Sequence, residues 1–458
     1  MTYRNKVTLV YLLGFFLDLI NMFIASAAYP AIAQALHAPV AQLAWISNGY
    51  VAGLTIVIPA SAWLTQRLGA RRLILLALSL FSIATAACGW ADSLGALVVW
   101  RTLQGAGGGL LIPVGQALAW PLFAKHERAA LSCVVMLTGL LAPALSPVAG
   151  GLLAQSASWQ GVFLASLPLA LLALLLAFCW LKPDVVSAQK KPLDIAGLLT
   201  GTAGLFLLLF GLTRLSEADG DALAAASLAA GIMLMAFLVR RSRRHPTPLL
   251  NVGLLSDPLL RFSMGVYQCV PGLFIGVSVV GMFYLQTVIG LSAALSGALM
   301  MPWSLASLLA ICVTRRMFNH TGPRPLILIG CLLQACGILL LTRTGAAHTP
   351  LFIAFFLMGA GGSLCSSTAQ SSAFINTSDA DMPDASALWN INRQLSFCFG
   401  VTLLCVTLNL LMRQMGPEAA YKTTFALAAA LTLIPAVSAF WLRCAKPDLT
   451  PSTNKEES

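Results

Sequence analysis

The sequence predicts an all-α membrane protein with about fourteen transmembrane helices. Three observations carry this. Of the 458 residues, 58% are hydrophobic and only 9% charged, with a mean hydropathy of +0.85, whereas a soluble domain carries about a quarter charged residues. Apolar blocks recur from end to end at about the 20-residue length that crosses a bilayer as a helix. These blocks are too long and too uniformly apolar to be the alternating, roughly ten-residue strands of a membrane barrel.

The spans, numbered 1 to 14 in chain order, fall at about 8–29, 43–64, 73–91, 95–119, 130–154, 159–181, 194–213, 221–239, 260–286, 292–313, 325–343, 349–372, 386–411 and 421–442. Their order is punctuated by basic residues. Arg4 and Lys6 precede span 1, and Arg67, Arg71 and Arg72 separate spans 2 and 3. Lys125 and Arg128 follow span 4; Lys182, Lys190 and Lys191 follow span 6. Arg240, Arg241, Arg243, Arg244 and Arg261 lie between spans 8 and 9, and Arg315, Arg316 and Arg324 between spans 10 and 11. Arg443, Lys446 and Lys455 close the chain. All of these fall on one side. Of the 27 Lys and Arg, the other side takes only Arg214, Arg343, Arg413 and Lys422. The excess of basic residues on cytoplasmic loops therefore predicts cytoplasmic N- and C-termini. It also accounts for the net charge of +11 without a nucleic-acid partner. Asp379, Asp381 and Asp384 make the loop before span 13 acidic, but acids weigh little in orientation.

The eleven cysteines are scattered, mostly within apolar blocks, with no CxxC pair; they read as small buried hydrophobes. The first apolar block runs on into span-like sequence, so no secretory signal is expected. An internal repeat is visible. QGAGGGLL (104–111) in span 4 matches MGAGGSLC (358–365) in span 12, and RLGARR (67–72) resembles HTGPRP (320–325). The expected organisation is an N-terminal six-helix bundle (1–181), a linker with two extra helices (182–258), a C-terminal six-helix bundle (259–445) and a cytoplasmic tail (446–458). Parallel repeats of this kind are a transporter architecture, with the substrate site near the midplane.

Among the charged residues, only Asp18, Arg101 and Arg393 lie well inside spans. A charge at the bilayer centre costs about 2.5–3.5 kcal/mol on insertion scales, and such residues mark a pathway or a partner. Asp18 is about 16 Å into span 1 at 1.5 Å per residue, and Arg101 enters span 4 from the opposite side to a similar depth. Two readings are open: Asp18 is a protonatable coupling group poised against Arg101, or the two form a fixed structural ion pair. Arg393 stands in WNINRQLSF (389–397) with Asn390, Asn392 and Gln394. That polar stretch serves either helix–helix hydrogen bonding or a cavity that takes an anionic or polar group. The position matching Arg101 in the second half is Phe355, so the charged residues are concentrated in the first half. An enzyme would need clustered carboxylates, a His-rich metal site or an activated nucleophile. No HExxH, DDxxD or P-loop is present, and all five histidines lie in loops or at span ends. No catalytic residues, metal or cofactor are expected.

With these residues in view, nearly the whole chain resembles the fourteen-span drug:proton antiporters of the major facilitator superfamily. WISNGYVAGLTIVIPASAWLTQRLGARR (45–72) resembles the family's span 2 and gating loop, here Gln66, Arg67, Gly69, Arg71 and Arg72. RTLQGAGGGLLIP (101–113) is similar to the motif with a buried Arg101, Gln104 and Gly105. APALSPVAGG (142–151) resembles the antiporter motif, with Pro143, Ser146, Pro147, Gly150 and Gly151. The resemblance implies a major facilitator fold of two six-helix bundles plus two inserted helices. It also implies proton-coupled efflux of small amphipathic organic compounds by alternating access. Three positions depart from the family: an acid is usual at Gln66, a glycine at Ser146 and an acid at Asn21. Asp18 shares a helix face with Asn21 at i, i+3 spacing; it either takes over that acid's function from one turn away, or coupling differs. The candidate substrate cavity is Asn21, Tyr50, Gln104, Tyr267, Gln268, Trp303, Trp389, Asn390 and Arg393. The expected partners are a small-molecule substrate, protons and the lipid bilayer, with no nucleic acid, for a monomer in a bacterial-type inner membrane. A metabolite, siderophore or organic-acid exporter, or a transport-dead sensor relative, are the alternatives on the same fold.

Overall fold

The computed structural model describes residues 1–36, 43–139, 159–183, 194–217, 222–245, 248–291, 295, 299, 301–343 and 348–441. Among them there is no strand, and ten helices are long and apolar enough to cross a membrane. The described part of every predicted span is largely helical, with turn or irregular residues at some ends and at Ala165–Ser166 and Leu433 within spans 6 and 14. The ends move where the sequence gives a reason. Span 1 is the helix Tyr3–Ile24, which takes in Arg4 and Lys6, and the chain tightens into a 3-10 turn at Ala25–Ala28. Span 10 is Met301–Thr321, which carries Arg315 and Arg316 on its final turns.

Proline accompanies breaks in several spans, because it removes a backbone donor and clashes with the preceding turn; spans 6 and 14 turn at Ala165–Ser166 and Leu433, just before Pro168 and Pro435. Span 2 runs as Ala44–Val57, a 3-10 turn Ile58–Ala60 around Pro59, then Ser61–Leu68. Span 9 runs as Pro258–Tyr267, a π-turn Gln268–Gly272 holding Pro271, then Leu273–Thr287. Gln334 Nε2 donates to the Val270 carbonyl in that turn at 3.0 Å. Spans 2 and 3 join at Gly69 (φ 83°) and spans 10 and 11 at Gly322 (φ 72°). These are the two glycines that the RLGARR and HTGPRP repeat aligns, and the left-handed conformation is why each is glycine.

The described residues form two compact units. The first is Met1–Leu122, Val135–Ser256 and Thr377–Val406; the second is Phe123–Val134, Asp257–Asn376 and Thr407–Ser458. Within the first, span 4 (Leu94–Ala119) is the hub, packed on spans 1, 2 and 3, while spans 7 (Ile195–Glu217) and 8 (Ala222–Ser242) pair with each other and span 7 leans on span 2. Within the second, span 12 (His348–Ala373) is the hub, packed on spans 9, 10 and 11.

Each hub works through its glycine motif, since small residues let helix backbones approach. A Cβ on Gly105 would overlap the Tyr50 carbonyl, and one on Gly359, the aligned position, would stand 2.5 Å from the Trp303 carbonyl. The sequence repeat is therefore a repeat of close contacts, span 4 on span 2 and span 12 on span 10.

Candidate functional site

Asp18, Asn21, Tyr50, Arg101 and Gln104 come together in the first unit. Each is buried, none more than 1% exposed. Spans 1, 2 and 4 supply them, and the small surface of span 4 is what lets them meet. A Cβ on Gly108 would overlap Asp18 Oδ1 and stand 2.7 Å from Tyr50 Oη.

Tyr50 Oη donates to Asp18 Oδ1 at 2.6 Å. The Arg101 guanidinium lies over the Tyr50 ring, 4.4 Å from its centroid, a cation–π contact. Its donors go elsewhere: Nε to the Ile46 carbonyl (3.2 Å), Nη1 to Gln104 Oε1 (2.6 Å) and Nη2 to the Asn21 carbonyl (3.0 Å). Among the described residues no ion pair joins Asp18 and Arg101, so the tyrosine stands between acid and base. Gln104 Nε2 donates to Asn21 Oδ1 (3.1 Å) and to Thr85 Oγ1 (2.7 Å). Ser166 Oγ donates to the same Asn21 oxygen (3.2 Å), and Asn21 Nδ2 returns to the Leu17 carbonyl (2.9 Å). The sequence does not single out Thr85 and Ser166. Hydroxyls in apolar helices commonly bond their own backbone, as Thr85 also does to Phe81, and nothing in the sequence separates the two behaviours.

Arg393 joins the first unit from span 13 (Met382–Met412). Its guanidinium lies 5.5 Å from the Phe15 ring centroid and its buried Nε has no hydrogen-bond partner. Its charge acts on Asp18, as that of Arg101 does. Three residues before it, Asn390 Nδ2 donates to Gln116 Oε1 (3.2 Å) and to the Ser386 carbonyl (2.8 Å), and Trp389 is buried beside it.

Gln66, where the family has an acid, donates through Nε2 to Asp384 Oδ2 at 3.2 Å. The other Asp384 oxygen accepts from the Asn251 amide at 3.1 Å. In the sequence Asp384 is only an exception to the charge pattern; its place beside the gating segment is the signal that pattern misses. Arg67 lies over Trp63, Arg71 Nη2 donates to the Phe178 carbonyl (3.0 Å), and Arg72 is exposed. Pro143, Ser146, Pro147, Gly150 and Gly151 lie outside the described residues.

Tyr267, Gln268 and Trp303 belong to the second unit. Tyr267 is buried, and Gln268 opens the π-turn of span 9. Trp303 is half-buried and meets Phe274 edge to face at 4.8 Å.

The model of the Major Facilitator Superfamily matches residues 11–401. The chain belongs to that superfamily. Among curated major facilitator relatives, the chain is 27% identical over 446 residues to an uncharacterized transporter, YebQ, of Escherichia coli (strain K12), covering 97% of this chain and 96% of that protein. It is 30% identical to the multidrug resistance protein B homolog of Mycobacterium tuberculosis (80% and 69% covered). It is 29% identical to the putative multidrug resistance protein MdtD of Escherichia fergusonii (87% and 84% covered). Among solved structures, the proton:xylose symporter XylE matches with a TM-score of 0.66 at 17% identity, over 96% of both chains. The human organic anion transporter MFSD10 matches with a TM-score of 0.67 at 17% identity, over 96% of this chain and all of the other. These likenesses show the major facilitator fold, and the chain is a multi-pass membrane transporter of that superfamily.

Proposed function

We propose that this transporter exports small amphipathic organic compounds in exchange for protons, by alternating access. In this reading it is a monomer in a bacterial-type inner membrane with both termini in the cytoplasm. The carrying observation is Asp18: a buried carboxyl that accepts from the Tyr50 hydroxyl, feels the charges of Arg101 and Arg393, and among the described residues has no ion-pair partner. A fixed buried pair would be held by direct hydrogen bonds between its charges. Here the acid instead shares a rotatable hydroxyl that donates to a carboxylate and accepts from a carboxyl. Proton loading reverses that bond, and Tyr50 carries the change to Arg101 through its ring. Spans 1, 2 and 4 thus sense one proton together. The relatives named as multidrug resistance proteins support the substrate class.

The test is transport in proteoliposomes with an imposed pH gradient, screening cationic dyes and acidic metabolites, with Asp18→Asn beside wild type. Gradient-driven flux is expected in wild type and absent in the variant. Undiminished gradient-driven flux in Asp18→Asn would refute the coupling assignment.

A second reading, export of an organic-acid anion, is favoured by Arg393, whose half-buried guanidinium keeps an unbonded Nε. In that case acidic substrates, and not cationic dyes, lose transport in Arg393→Gln.

A further inference from the structure

Outside the Asp18 cluster, the first unit contains a crevice of about 330 Å³ between spans 2, 4 and 7, at the low end of ligand-pocket sizes, about 300–1,000 Å³. It exists because the inserted span 7 stands against span 2, tied there by Thr202 Oγ1 donating to the Ile56 carbonyl at 3.1 Å. None of the residues assigned to coupling or to the substrate cavity lines it.

The crevice is chemically graded along its length. Arg214 stands at one end, exposed, where span 7 finishes. Phe206, Phe210 and Val51 form the walls. Eight residues separate Phe206 from Arg214, about 12 Å along a helix. Thr55 lines the crevice seven residues along span 2 from Asn48, about 10 Å along a helix. Thr55 is 1% exposed, and its hydroxyl has no hydrogen-bond partner. Thr65, Thr85 and Thr102 each return their hydroxyl to the carbonyl four residues back, whereas Thr55, like Ser82, Ser242 and Ser386 in the same unit, leaves a buried donor unused. Of these four, only Thr55 lines the crevice, and a buried donor left unpaired favours a ligand that can meet it. The neighbouring faces of span 4 are bilayer-like: Val99 is 57% exposed and Leu103 37%.

We infer that this crevice binds an amphipathic organic acid, with its anionic group at Arg214, its apolar body along Phe206, Phe210 and Val51, and a hydrogen-bonding group at its other end on Thr55. The site is separate from the proton-coupling cluster, and the inserted helix pair is what creates it.

The experiment is equilibrium binding to the purified full chain in detergent, without any gradient, so its outcome does not depend on Asp18. Three probes are compared: ω-hydroxydodecanoic acid, dodecanoic acid without the distal hydroxyl, and dodecanol without the acid. A diazirine analogue of the first maps the site. The hydroxy acid should bind tightest. Removing either polar end should cost about fivefold, about 1 kcal/mol for one hydrogen bond or surface charge. Adducts should fall on 45–55 and 206–214. Thr55→Val should abolish the preference for the hydroxyl and Arg214→Gln the preference for the acid, each leaving the other preference intact. Thr55→Val keeps shape and Arg214 is exposed, so thermal midpoints should hold in both. Equal binding of all three probes to wild type overturns the inference, as do unchanged preferences in the variants or adducts elsewhere. Adducts that anionic phospholipid displaces but the free acid does not would assign the crevice to membrane lipid and overturn it as well.

Discussion

Placing a glutamate at position 66 should destabilise this chain, although an acid is what its family usually carries there. Gln66 Nε2 lies 3.2 Å from Asp384 Oδ2. In Gln66→Glu two carboxylate oxygens would take those places. At that separation and an effective dielectric of about 20, the repulsion is about 5 kcal/mol. Gln66 is only half-buried, and water and proton uptake bring the expected loss to about 2–4 kcal/mol. The partner substitution Asp384→Asn, made in the same chain, removes the repulsion and lets the new glutamate accept from an amide, reversing the direction of the bond. The double variant should therefore recover most of the lost stability, a coupling of at least about 2 kcal/mol in a double-mutant cycle. Thermal unfolding in detergent, read by tryptophan fluorescence, gives the four values. Proteoliposome flux tells whether the contact also governs turnover. Additive losses in the double variant would refute the pairing of these two side chains, as would a Gln66→Glu chain as stable as wild type.

Gly108→Ala should push a methyl group into the Asp18–Tyr50 hydrogen bond. Gradient-driven flux should fall while the stability read by thermal unfolding drops by no more than overpacking commonly costs, about 1–3 kcal/mol. Gln104→Leu removes the acceptor of Arg101 Nη1 and should cost about 1.5–3 kcal/mol by thermal unfolding, the value of a hydrogen bond to a charged group. Asp194 bonds the Arg241 guanidinium (2.8 Å) across the start of span 7 and the end of span 8 and accepts from the Gly197 amide at 2.9 Å. Burial raises this carboxyl, but the Arg241 and Gly197 bonds and the Arg241 charge outweigh it and hold it below the ordinary carboxylate value. A lowered folded value makes the contribution complete above the unfolded carboxylate range and lost as pH falls through the folded value. With Arg241 30% exposed, Asp194→Ala should cost about 1–3 kcal/mol at neutral pH. The wild-type midpoint should approach the variant's in acid, and a pH-independent difference would contradict this.

Much of the site can be read from residue types alone, because a charge in oil is rare enough to mean something. Asp18, Arg101 and Arg393 stand out for that reason, and Asn21, Tyr50 and Gln104 come from motif and helical spacing. That Tyr50 is the direct partner of Asp18 does not follow from either. Depth along two helices brings Asp18 and Arg101 to the same level but says nothing of azimuth, and Tyr50 occupies the angle between them. The span boundaries drift where polar residues extend a helix past the apolar block, at Tyr3 and at Thr321. The breaks at Pro59 and Pro271 are not legible from proline alone, since Pro113 sits inside the unbroken helix of span 4. Asp384 is hidden because its partner lies 318 positions away in the chain, a distance no local pattern spans.

The aligned hubs meet different company. Where Gly108 faces Asp18, Gly362 faces the Gln334 amide oxygen and then Phe274; where Gly105 rests on Tyr50, Gly359 rests on Trp303; and Phe355 occupies the place of Arg101. The acid–hydroxyl bond of one unit is answered in the other by an edge-to-face ring pair. One repeated backbone pattern thus serves two chemistries, a charged cluster on one hub and a ring pair beside an amide on the other. Exchanging the three side chains between the hubs would ask whether either scaffold can hold the other's contacts.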